Sequence, residues 1–339
     1  MSASHSSRRA RLATVLTAAG LAMALAACSS AGGDPGSAGS THQGTANVAY
    51  ASSLTFLNEK DVSPAFTRAE GYQYSGTGNA SGALEAEIAA GEIHPNVFES
   101  VGGDNITPLE PKFTKWYIQY AGTHMVLAYN PRSRYASQFK AFADGKKPLR
   151  DLFTLLETPG LKLGRTDPNI DPQGRDFIYM LELAQSYYHL PAGTVAKILG
   201  TKDLGTANSP QIFAESSLDS TLASGQLDAA SAFVTQATEL HLDYIPLPAA
   251  INLGSAADAA QYAKAKVTIT GNVTKTGSPQ VLDITLIGKP TPAGIAFVKY
   301  TLSKAGLAQY KAGGFTLLTP TVTGDSAAVP SAVKSELGR

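Results

Sequence analysis

Three short stretches of the chain place small hydroxyl or carboxyl side chains just before a helical pattern. They are Ser52-Ser53, the run from Ser75 to Ser81, and Asp171-Pro172-Gln173-Gly174. A helix N-terminus presents unpaired N–H groups and the positive end of a dipole, so an anion can settle there without a formal counter-charge. Serine hydroxyls add further donors. At about 1.5–3 kcal/mol for each charge-assisted hydrogen bond, about five or six such bonds outweigh the desolvation of a small dianion. The same residues also have an ordinary use, because Ser53, Ser81 and Asp171 are types that cap helices and fill turns. The choice between oxyanion capture and plain capping depends on where the surrounding elements put them.

Those elements alternate. Asn47 to Ser52 reads as a strand, Leu54 to Thr67 as a helix and Ala69 to Ser75 as a second strand. Gly76 to Gly82 reads as a glycine-rich turn, Ala83 to Ala90 as a helix and Asn96 to Ser100 as a third strand. This order predicts an α/β sheet with parallel strands, in which ligands bind beyond the carboxyl ends of the strands. Further along, Met125 to Tyr129, Ser231 to Thr235, Asp243 to Leu247, Ala265 to Thr270 and Leu282 to Ile287 have strand character. Helices are expected over Arg175–Tyr188 and Thr291–Ala312, the latter stopped by Gly313-Gly314.

The N-terminal segment sets the compartment. Arg8, Arg9 and Arg11 precede an apolar stretch from Leu12 to Ala27, the pattern of a secretory signal over residues 1–27. At about 16 residues the stretch is short of the about 20 that span a bilayer. Leu25-Ala26-Ala27-Cys28 resembles the lipobox of bacterial lipoproteins, which implies cleavage before Cys28 and acylation of its thiol. Ser7-Arg8-Arg9 fits a twin-arginine signal only in part, and the export route stays open. From Ser29 to Ala46 glycine, serine, alanine and threonine dominate, so residues 28–46 read as a lipidated cysteine on a flexible tether.

About 290 residues remain, which favours two domains. Of 27 lysines and arginines three lie in the leader, so 24 face 27 acidic residues and the mature chain is slightly acidic. Without a basic cluster it is not expected to bind nucleic acid. The six histidines are scattered without metal-ligand spacing, and neither a zinc site nor a cofactor is expected.

Lys115-Trp116-Tyr117-Ile118-Gln119-Tyr120, Met125-Val126-Leu127-Ala128-Tyr129, Pro168-Asn169-Ile170-Asp171-Pro172-Gln173-Gly174 and Ile251-Asn252-Leu253-Gly254 together carry a resemblance. The chain resembles the tungstate/molybdate-binding proteins of ABC importers, in the branch with an octahedral metal-oxyanion site. The resemblance implies a two-lobed α/β fold, periplasmic-binding-protein-like and of type II. Each lobe would hold a mixed sheet flanked by helices, with two crossover strands as hinge. The first lobe would take about 47–128 and 249–339, the second about 129–248. Carried over residue by residue, the oxyanion contacts fall on Ser52, Ser53 and Ser81 in the first lobe and on Asp171, Pro172 and Gln173 in the second. The glutamate that the family uses as a second metal ligand falls on Ala232, leaving Asp171 as the one carboxylate able to complete an octahedron. Thr235, or Glu239 after a slip in alignment, are the candidates to compensate. The resemblance further implies a monomer that hands its oxyanion to permease and ATPase subunits. Receptors for sulfate or another small anion are the alternatives. A secreted hydrolase would need a nucleophile elbow, but Gly76 to Gly82 has the wrong register for G-x-S-x-G and His124 sits in a strand pattern.

Overall fold

The computed structural model describes residues 42–337, so the leader, Cys28 and most of the tether lie outside the described residues. Twelve strands follow in order: β1 Thr45–Ala51, β2 Gln73–Asn79, β3 Val97–Val101, β4 Trp116–Gly122, β5 Met125–Tyr129, β6 Leu163–Gly164, β7 Ala229–Phe233, β8 Asp243–Ile245, β9 Lys266–Ile269, β10 Val273–Thr276, β11 Val281–Leu286 and β12 Thr316–Gly324. They form a six-stranded sheet ordered β12-β4-β11-β3-β1-β2, a four-stranded sheet ordered β6-β7-β5-β8, and the hairpin β9–β10. β1 runs parallel to β2 and β3, whereas β11 is antiparallel to β3 and β4. Both sheets carry helices, giving the two-lobed mixed α/β architecture.

β3 is buried along its whole length and β1 along most of it because both faces of the sheet are covered. On one face Val48, Tyr50 and Val97 join Phe66 and Phe297. On the other, Ala49 and Phe98 pack with Leu84, Ile88, Ile106 and Leu109. The chain passes from the first sheet to the second through Thr123-His124, between β4 and β5. After β8, the short helices Ala249–Asn252 and Ala259–Tyr262 and strand β9 pack against the Pro172–Tyr187 helix before the chain re-enters the first sheet as β11. The two connections touch, since the Thr123 amide donates to the Gln280 carbonyl at 3.1 Å.

Two expectations shift. The run Gly76 to Gly82, read as a turn, is mostly the end of β2. Its glycines are there for close approach: a methyl group at Gly78 would lie 2.7 Å from the Tyr50 ring. The helix expected over Thr291–Ala312 is two helices, Pro292–Leu302 and Lys304–Ala312. Ser303 leaves the helical conformation (φ −69°, ψ 162°) and its side chain caps the second helix by accepting from the Gly306 amide at 3.1 Å.

The first helical segment runs from Ser52 to Glu70, tightened at its start and widened to a π-turn over Asn58–Val62. That turn brings Asn58 inward, where its side-chain amide donates to Glu99 on β3 at 2.8 Å. Tyr120 and Tyr310 donate to the same buried carboxylate, whose pKa is raised by burial. One polar knot therefore ties β3, β4, the Lys304–Ala312 helix and the segment that begins with the serine pair.

Candidate functional site

Ser52 and Ser53 follow directly on the carboxyl end of β1 and open the Ser52–Glu70 segment. Ser81 is the first residue of the Ser81–Ala90 helix after β2. Its Oγ accepts the Val101 amide at 3.2 Å, which leaves the hydroxyl hydrogen able to donate elsewhere. In the second lobe Asp171 caps the Pro172–Tyr187 helix, accepting from the Gln173 amide at 2.9 Å. Pro172 takes the first helical position, where its missing N–H costs nothing.

The motif around Asp171 has a physical reason at nearly every position. Asn169 donates to the Gly205 carbonyl at 3.0 Å and accepts from the Thr270 amide at 2.8 Å, so it fastens the loop to the hairpin. Gly174 is needed because a methyl group there would stand 2.5 Å from the Thr166 carbonyl oxygen.

Ser53, Ser81 and Val101 of the first lobe meet Asp171, Glu215 and Phe233 of the second around one small chamber, closed so tightly that no water-sized space is left in it. Ala51 and Pro172 complete its wall, and no lysine or arginine lines it. Ser52 stands just outside, lining two open pockets of about 480 and 280 Å³ that adjoin the chamber. The Gln173 side chain is fully buried but turned away from the chamber. It donates to Glu215 at 3.1 Å and to Gln236 at 2.9 Å, and accepts from Ser231 at 2.9 Å.

Glu215, the residue that sequence reasoning did not single out, opens the Glu215–Ser224 helix and is 5 % exposed. An acidic residue in the first turn of a helix is ordinary on dipole grounds, so nothing in the sequence marks it. Ala232 lies on the opposite face of β7 from the chamber, in an apolar cluster with Val126, Ala128, Leu218 and Leu222. Thr235 pairs with Thr123 at 3.1 Å, and Glu239 lines the larger open pocket. His124 sits by the lobe connection, packed against Gly254, and its pKa is lowered by burial.

The electrostatics follow from enclosure. Burial pushes the Asp171 carboxyl up to about 6, partly opposed by the Gln173 amide and the Arg175 charge. Burial raises Glu215 further, with Asp171 and Asp219 adding repulsion. Three contacts hold the lobes together beside the chamber. The Gly82 amide donates to the Ile170 carbonyl at 2.8 Å. On the other side Arg175 donates to Asn105 at 3.2 Å, while Lys275 pairs with Asp104 at 2.9 Å.

A two-lobed scaffold that closes a small polar chamber between its lobes defines a solute-binding protein. The chain belongs to the family of bacterial extracellular solute-binding proteins, whose model matches residues 46–316. It is 28 % identical over 262 residues to a solute-binding protein of Petrotoga mobilis, covering 73 % of this chain and 77 % of that one. It is 28 % identical over 236 residues to the molybdate/tungstate-binding protein WtpA of Thermococcus kodakarensis, covering 63 % of this chain and 64 % of that one. Among solved structures, the periplasmic molybdate-binding protein of Azotobacter vinelandii superposes with a TM-score of 0.51 at 17 % identity, covering 80 % of this chain and 98 % of that one, a likeness of fold. The family places the chain outside the cytoplasm, and among the described residues no helix is long and apolar enough to cross a membrane.

Proposed function

We propose that this chain is the capture subunit of an ABC importer and that it takes molybdate, tungstate or a similar small oxyanion into the chamber between its lobes. The observation that carries the reading is the meeting of Ser53 and Ser81 from one lobe with Asp171 and Pro172 from the other around a single tight gap. Two relatives of this fold bear molybdate in their names, which supports the ligand class. Ser52, Ser53, Ser81 and the helix N-termini would hold the anion, with Pro172 as wall and Gln173 as support. The lobes would divide near Thr123-His124 and near Gly277–Gln280, where the two connections run side by side. Cys28, acylated, would keep the domain at the outer face of the membrane, within reach of the permease and ATPase subunits.

The test is a thermal-shift and calorimetry panel of tungstate, molybdate, sulfate and phosphate on the tether-free domain. A ligand bound only by the native state raises the melting temperature by linkage. Ser53→Ala and Ser81→Ala are each expected to weaken the preferred oxyanion by about 1–3 kcal/mol. If no oxyanion shifts the wild-type melting temperature, the reading fails.

Asp171→Asn separates two modes of holding the anion. Asparagine caps a helix about as well as aspartate, so the loop should persist. With the anion held on hydroxyls and amides, loss of a neighbouring negative charge leaves affinity unchanged or improves it, and that is the expected result. A selective loss of tungstate and molybdate with sulfate untouched would instead make the Asp171 carboxylate a ligand of the metal.

A further inference from the structure

We infer that Glu215 is an internal competitor for the oxyanion: its carboxylate occupies first-lobe donors that the anion must use, and capture requires its displacement. The inference rests on the oxyanion reading of the chamber. Glu215 is a second-lobe residue, yet it shares its pocket lining with Ser52 and Ser53 of the first lobe, and their hydroxyl and amide hydrogens offset part of the rise that burial imposes on its carboxyl group. Those groups stand at a helical N-terminus, where a carboxylate is favoured for the same reason as an oxyanion. On its own side Glu215 is held by Gln173, which Ser231 and Gln236 fix in turn.

The position of the side chain fits a gate. Glu215 lines the chamber and also both open pockets outside it, so it stands where the enclosed space meets the surroundings. One set of donors serves one acceptor at a time, so the Glu215 carboxyl group and an oxyanion compete for Ser52 and Ser53. Glu215 must give up Ser52 and Ser53 for the anion to take them. Two consequences follow. The lobes can close on the protein's own carboxylate, and an anion that is a poorer acceptor than a carboxylate fails to open the site. Glu215 thereby sets a threshold for which anions are captured.

The experiment pairs calorimetry with small-angle scattering on wild type, Glu215→Gln and Glu215→Ala, using tungstate as the probe and circular dichroism to verify folding. The glutamine variant keeps the side-chain shape should alanine disturb the fold. Removing a competing contact lifts the fraction of binding-competent protein, so tungstate affinity should hold or rise by up to about tenfold. The ligand-free variants should also scatter as more open molecules than wild type. A tenfold or greater fall in tungstate affinity, by the same reasoning, would overturn the inference and make Glu215 a direct contact of the bound anion. A wild type that binds no oxyanion would sink the oxyanion reading. The scattering arm would still stand, and an unchanged ligand-free radius would overturn the role given to Glu215.

Discussion

Gly82→Ala is expected to weaken oxyanion capture by at least about tenfold, or 1.4 kcal/mol, while leaving each lobe folded. Gly82 lies in the first turn of the Ser81–Ala90 helix, and its amide bonds across the cleft to the Ile170 carbonyl. A methyl group there would stand 2.6 Å from that carbonyl oxygen and 3.1 Å from its carbon. The obstacle is backbone, held in place by Asn169 and by the Asp171 cap, so it cannot swing aside like a side chain. The lobes would have to part by a fraction of an ångström at the point where Ser81 and Asp171 must converge. Hydrogen bonds weaken steeply with length and misalignment, and several would be lost together. Gly82 has ordinary helical surroundings otherwise, so the melting temperature without ligand should hardly move. Calorimetry with tungstate and scattering with and without it would check this. Wild-type affinity in Gly82→Ala would show that the closed arrangement of the two lobes is not the binding one.

The second large effect concerns stability and pH. Asp283 on β11 is wholly buried, and neither carboxylate oxygen has a full hydrogen bond. Burial pushes its pKa from 3.8 up to about 8, with Gln119 offsetting part of the shift and the Asp104 charge adding to it. Because the folded value is the higher one, the native state holds more protons than the unfolded state between about pH 4 and 8. Stability must therefore fall as pH rises through that window and level off above it. At pH 7 the cost from this residue is about 4 kcal/mol, taking about 1.36 kcal/mol per pKa unit over about three units. Glu99, Asp171, Asp176 and Glu215 are raised by burial as well and slope the same way. Asp283→Asn removes one ionisation and keeps the shape. It should flatten the decline and leave the variant more stable than wild type by about 2–4 kcal/mol near pH 8, with little difference at pH 4.5. Urea unfolding at several pH values would measure this, and parallel curves for the two proteins would refute it.

The parallel core of the first lobe was readable because β1 and β2 are each followed by a helical pattern and β3 continues the alternation. The Asp171 loop was readable because capping, a proline at the first helical position and a close-packed glycine leave a local signature. Other features are set by distant residues. Gly76 and Gly78 read as turn because glycine usually marks turns, and only the Tyr50 ring beside them explains a strand. The break at Ser303 is invisible to periodicity, since apolar residues continue on both sides of it. Glu215 joins the chamber from a helix far along the chain, with no motif around it. At Ala232 sequence correspondence found the strand and missed the face, as a single step in register turns a side chain to the other side of a sheet.

The hairpin β9–β10 reaches the anion loop through Thr270 and the first lobe through Lys275, so it spans the moving parts from outside. Val273 near its tip is 47 % exposed, and Cys28 is the only cysteine in the chain. A tether-free domain carrying Val273→Cys would thus offer a single thiol, on a strut that shifts with lobe closure, for an environment-sensitive dye. The geometry that serves uptake in the cell would then serve as an optical meter for the captured anion in a cuvette.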